Sequence, residues 1–189
     1  MNISPNQRYS SGLRATLSAA ALALLVGACA SPHSAGAGND NRAPDVPIAI
    51  QVPGTTNKVH FHVYAAGVQV YVWNGSNWVF RAPEAVLYAD AGGHGETGIH
   101  YGGPTWETES GSKVVGTAIA NTPSPDTNSI PWLLVRAVSA QGPGILERTT
   151  YIQRVNTDGG KAPTTSGTTI GEEARVTYSA EYYFYRAQE

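Results

Sequence analysis

A glycine-rich stretch and five histidines carry most of the chemistry available to this 189-residue chain. Between Ala89 and Trp106 (ADAGGHGETGIHYGGPTW) six of eighteen residues are glycine. Each glycine loses more backbone freedom on folding than another residue would, and simple turns seldom need so many. Among them sit Asp90, His94, Glu96, His100, Tyr101 and Trp106, a set able to donate, accept, titrate and stack. Binding groups gather on loops held by a rigid β scaffold, so these six residues form the candidate ligand-binding segment. The competing expectation is a structural loop whose polar side chains satisfy its own backbone.

His60-Phe61-His62 places two imidazoles on one face of a strand, a spacing that metal-binding barrels use. His94 and His100 could complete such a set, giving His60, His62, His94 and His100 as candidate metal ligands. The alternative is two half-exposed histidines hydrogen-bonded on a solvent face. No cofactor is expected from the sequence; a divalent metal is the alternative. Gly93-His94-Gly95-Glu96-Thr97-Gly98 matches the spacing of a dinucleotide loop. That motif works only where a strand leads in and a helix leads out, and Ile99-His100-Tyr101-Gly102-Gly103-Pro104 cannot form a helix. Glu107 and Glu109 would share a strand face, whereas glycoside hydrolysis sets its two carboxylates across the scissile bond. No nucleophile elbow, zinc-protease helix or phosphate loop occurs. Tyr71, Trp73, Trp78, Tyr88, Tyr101, Trp106, Tyr182, Tyr183 and Tyr185 make a rich aromatic set. Such rings stack on sugars or line a peptide groove, and equally pack a β core.

These residues must be positioned by strands. Lys58 to Ala65 alternates, with Val59, Phe61 and Val63 on one side and His60, His62 and Tyr64 on the other. Val68, Val70 and Val72 repeat the pattern in a second run, and Asn74-Gly75 signals a hairpin. Strands are expected at 77–81, 84–90, 97–101, 112–120, 132–139, 145–156 and 173–186, with a Gly/Thr/Pro loop at 157–171. Pro131 could open a helix at Trp132, but the Gly-Pro-Gly turn and the β-branched run that follow favour a strand. The fold class is all-β: a single-domain antiparallel β-sandwich or flattened barrel of about nine strands.

The first 28 residues read as a targeting segment. Arg8 and Arg14 precede a short apolar run, Ala15 to Val26, that ends in Val26-Gly27-Ala28-Cys29. This resembles the bacterial lipobox, so Cys29 is the expected lipidation site. An ordinary cleavable signal is the alternative. Ala30 follows the cysteine, where the usual inner-membrane retention signal is aspartate, so the expected location is the outer membrane, facing the periplasm. Residues 29–47 form a lipidated cysteine and flexible tether spanning about 20–25 Å as a coil, and residues 48–189 the β domain. The sole cysteine excludes an intramolecular disulfide. No run of about twenty apolar residues predicts a membrane-spanning helix. Loss of Arg8 and Arg14 leaves ten basic residues against fourteen acidic ones, net −4, which argues against nucleic acid as a partner.

Several segments carry a family resemblance: VQVYVWNGSNWVFRAPEAVLYAD, GIHYGGPTWETESGSKVVG, IPWLLVRAVS, TYIQRVNTDGGKAP and the closing AEYYFY. From about Val52 to Tyr185 the chain resembles the domain of unknown function 3455 family of secreted and envelope proteins. The resemblance implies no activity and transfers no catalytic residue. Some relatives bear cysteines, which this chain lacks after Cys29. The expectation is a monomeric, non-enzymatic envelope lipoprotein, held at the membrane by its lipid anchor and binding a carbohydrate or an envelope protein. The alternatives are a metal-dependent hydrolase or related enzyme built on the histidines, and a structural envelope protein.

Overall fold

The computed structural model describes residues 42–188. The signal segment, Cys29 and most of the tether lie outside the described residues. Eight strands follow one another: β1 (Asn57–Trp73), β2 (Trp78–Tyr88), β3 (Glu96–Tyr101), β4 (Thr105–Thr108), β5 (Lys113–Thr122), β6 (Trp132–Gln141), β7 (Tyr151–Gly159) and β8 (Glu173–Ala187). Each is antiparallel to its neighbour in sequence. β8 returns to pair with β1 from Asn57↔Ala187 to Val72↔Glu173, which closes the barrel. Closure leaves no free sheet edge for another chain to extend. The all-β, single-domain expectation holds, and no α-helix occurs among the described residues; a 3₁₀ turn at Ile48–Ile50 precedes β1.

Eight strands stand where about nine were expected, for three local reasons. The runs at 58–65 and 68–72 are one strand, because Ala66-Gly67 carries the chain straight on. A Cβ on Gly67 would sit 2.1 Å from the Glu84 carbonyl oxygen, so this glycine serves a close approach of β2 and not a turn. The segments at 77–81 and 84–90 likewise merge through Pro83 into β2. Proline is tolerated there because β3 pairs only with positions 85–88, leaving the other edge of β2 without a ladder to break. Short β4, preceded by Gly-Gly-Pro and lacking alternation, had no sequence signal. Trp132 opens a strand, as expected.

The lumen is filled. Phe61, Val63 and Ala65 of β1, Leu87, Trp106, Val114, Val135 and Ile152, and Tyr178, Ala180, Tyr182 and Phe184 of β8 form one buried cluster. Small barrels are packed by side chains in this way. A second cluster lies on the outer wall, where Val46 and Ile50 of the leading segment cover Val59, Leu134, Val155, Tyr183 and Tyr185. The buried Gln153 ties this strap down: its Nε2 donates to the Ile50 carbonyl at 2.7 Å, and its Oε1 accepts from the Tyr185 hydroxyl. Val59 therefore does not share a face with Phe61 and Val63. A β-bulge at His60 sets Val59 and His60 against Tyr185 alone, and the extra residue reverses the alternation.

Candidate binding cleft

The glycine-rich segment divides three ways. Asp90 caps its own loop: Oδ1 accepts from the Gly92 amide at 2.8 Å, the His94 amide at 3.0 Å and His94 Nδ1 at 3.1 Å. The His94 amide is the chief reason the Asp90 carboxyl lies below its ordinary pKa. Gly93 and Gly95 adopt φ of 76° and 65°, a left-handed turn that glycine permits, and strand β3 follows where a dinucleotide loop needs a helix. The His94 side chain is largely exposed, and Glu96 is exposed at the start of β3. His100 and Trp106 are register partners on β3 and β4 and both point into the lumen. Their rings stack at 4.3 Å and 7°, with Tyr182 edge-on to each. His100 Nδ1 donates to the Thr105 carbonyl at 2.8 Å, and burial lowers its pKa to about 3. Tyr101, one residue on, faces outward and donates to Glu107 Oε2 at 2.6 Å. Strand alternation thus separates residues that sequence proximity grouped.

The four histidines do not converge either. His60 Nε2 lies 3.3 Å from Thr149 Oγ1 at the bulge, His62 pairs with Glu181 on the outer wall, His94 with Asp90, and His100 is in the lumen. Among the described residues no group of three or more His, Cys, Asp or Glu is placed to hold a metal ion. Glu107 faces Tyr101, while Glu109 falls beyond the end of β4.

What the fold does assemble is a cleft of about 230 Å³ on the outer wall, across β8, β1 and β2. Its floor is small: Ala66 and Ser179 are exposed register partners. Tyr64 and Tyr88, paired across β1 and β2, stand at one end beside the Asp90 loop. Asn156 and Glu181 form the far wall. Asn156 has φ of 48° within an irregularity that breaks the β7–β8 register between Val155 and Asp158. Asparagine tolerates this conformation better than most residues, and here its Nδ2 donates to Glu181 Oε1 at 2.9 Å. Glu181 Oε2 accepts from His62 Nε2 and from the Tyr183 hydroxyl, each at 2.9 Å. Burial of Glu181 would raise its pKa, but the hydrogen bonds from His62, Asn156 and Tyr183 outweigh it and the net shift is downward. His62 stacks on Tyr183 at 3.9 Å and tilts against Tyr64 at 4.8 Å. The wall is therefore rigid and prearranged.

Of the six candidate residues only Asp90 reaches this cleft. Asn156 and Glu181 were not singled out from the sequence. Glu181 had a signal, being the one charge within the aromatic run Ala180-Glu181-Tyr182-Tyr183-Phe184-Tyr185. Asn156 had none, because nothing in Val155-Asn156-Thr157-Asp158 announces an irregular register.

The chain is thus an eight-stranded up-and-down barrel with a packed lumen and an aromatic, acid-walled cleft outside it. The family described as protein of unknown function DUF3455 matches residues 53–186, and the chain belongs to it. No curated protein and no solved structure matches the chain.

Proposed function

We propose that this protein is a non-enzymatic, lipid-anchored envelope protein that takes a carbohydrate chain in the cleft between Tyr64, Tyr88 and Glu181. The observation that carries the reading is the pairing of two tyrosines with a fixed amide–carboxylate wall over a floor of Ala66 and Ser179. A sugar ring offers an apolar C–H face and a rim of hydroxyls. Tyrosine rings complement the face with little entropy to lose. Asn156 and the carboxylates of Asp90 and Glu181 complement the hydroxyls as donor and acceptors. A volume of about 230 Å³ is below the range of enclosing small-molecule pockets and suits one ring of a longer chain. The filled lumen leaves the outer wall as the receptive surface.

The anchor belongs to the same proposal. Lipidation of Cys29 and a short tether would hold the cleft at the outer membrane facing the periplasm, where glycan is abundant. An array of envelope-type and other oligosaccharides, probed with the purified full chain, tests the reading. The expected result is retention on a defined subset, lost in Tyr88→Ala and Asn156→Ala without loss of fold. Retention unchanged by both substitutions would overturn it, as would retention on no glycan.

A further inference from the structure

A second depression, of about 620 Å³, opens where β1 begins and β8 ends, and is lined by Lys58, His60, Arg148, Arg186 and Gln188 among others. Three of these side chains are cationic, and the described lining carries no carboxylate. Lys58 and Arg186 are register partners, directly opposite one another on β1 and β8, and both are exposed. Like charges in that position repel and destabilise the strand pair. Two arginines elsewhere on the wall are paired: Arg175 reaches Glu84 and Glu173, and Arg81 reaches Glu173. Neither Lys58 nor Arg186 has a carboxylate partner among the described residues.

The second observation is His60. It is nine-tenths buried at the bulge and its Nδ1 has no hydrogen-bond partner. A buried ring nitrogen left unpaired is costly. Burial, with the Arg186 charge beside it, lowers the His60 pKa to about 4, so the ring is neutral at pH 7. The Thr149 hydroxyl lies 3.3 Å from Nε2 and engages that nitrogen, which leaves Nδ1 as the ring atom without a partner.

We propose that this depression binds a phosphate-class oxyanion, seated between Lys58 and Arg186 with the His60 ring in the same lining. A tetrahedral oxyanion offers several acceptor oxygens, which matches a point charge and a guanidinium fork set side by side. It also relieves the repulsion built into the Lys58–Arg186 pair. The anion has two sources with one chemistry: free phosphate, or the phosphodiester of a phospholipid headgroup close to the lipid anchor.

The test uses the full chain in non-ionic detergent, titrated at constant ionic strength with inorganic phosphate and, separately, with glycerophosphoglycerol. The readouts are the melting temperature and the ring resonances of His60. Either anion should raise the melting temperature and move the His60 signals, with chloride inert. Tighter binding of the monoanion and dianion of phosphate assigns the site to the free ion, and tighter binding of the diester assigns it to a headgroup. Lys58→Gln and Arg186→Gln should each weaken binding about tenfold. In the absence of oxyanion, Lys58→Gln should melt no lower than the parent, since the repulsion is gone. No response to either anion would overturn the proposal. So would a response that survives both substitutions.

Discussion

Glu181 joins the stability of the outer wall to the shape of the cleft, and Glu181→Gln probes both. The carboxylate accepts three hydrogen bonds, from His62, Asn156 and Tyr183. Glutamine keeps the length and one acceptor oxygen but presents an NH₂ group to a donor. At least one of the three bonds is lost, and the rest lose their charge assistance. Hydrogen bonds to charged groups contribute about 1.5–3 kcal/mol each, and the side chain is only 21% exposed, so solvent screens little of this. A loss of about 2 kcal/mol is expected, or a melting temperature lower by about 4–8 °C for a domain of this size. The pH dependence supplies the control. Because the folded pKa of Glu181 lies below the ordinary carboxylate value, its contribution is complete above that value. It fades as pH falls through the lowered native pKa. The parent and Glu181→Gln should differ at pH 7, and the difference should shrink at an acidic pH below the ordinary carboxylate range. Thermal unfolding followed by circular dichroism at the two pH values measures this. A difference that is absent at pH 7, or equally large at both, would refute the assigned role of the carboxylate.

Trp106→Ala empties the centre of the lumen and should cost about 3–5 kcal/mol, seen as a large drop in melting temperature; a drop of a degree or two would contradict the packed lumen. Gly67→Val should disrupt the β1–β2 pairing, because a Cβ there meets the Glu84 carbonyl and Ala85 Cα at 2.1 and 2.5 Å; amide exchange along Val63–Tyr71 would speed up, and unchanged protection would count against the close approach. Cys29→Ser should abolish labelling by a fatty-acid analogue and release the protein from the membrane fraction. Persistent labelling would rule out Cys29 as the lipidated residue.

Strands were legible wherever one face alternates apolar and polar, as in Lys58–Ala65 and Glu173–Arg186. Their number depended on details that leave no such trace. Ala66-Gly67 reads as a break and is a crossing point of two backbones, and four-residue β4 is too short to show a period. The candidate site was less legible, and for a related reason. Nearness in sequence placed His100, Tyr101 and Trp106 together, but the pleat sends His100 and Trp106 inward and Tyr101 outward. The cleft draws instead on residues more than a hundred positions apart, Tyr64 and Glu181, which meet only because the barrel closes through β1 and β8. In the Asp90 loop, Oδ1 holds the loop's own backbone while the carboxylate still borders the cleft. That leaves it as one edge of the cleft and not its centre.

The proposed carbohydrate meets the outer wall at the Tyr64–Glu181 cleft. Side-chain chemical-shift mapping of the full chain in detergent, titrated with a glycan selected from the array, tests it most directly. Saturable shifts are expected, confined to the rings of Tyr64 and Tyr88, the Asn156 amide and the Asp90–Gly93 loop, with His100 and Trp106 in the lumen unmoved. Shifts centred on His100 and Trp106, with the cleft silent, would contradict it.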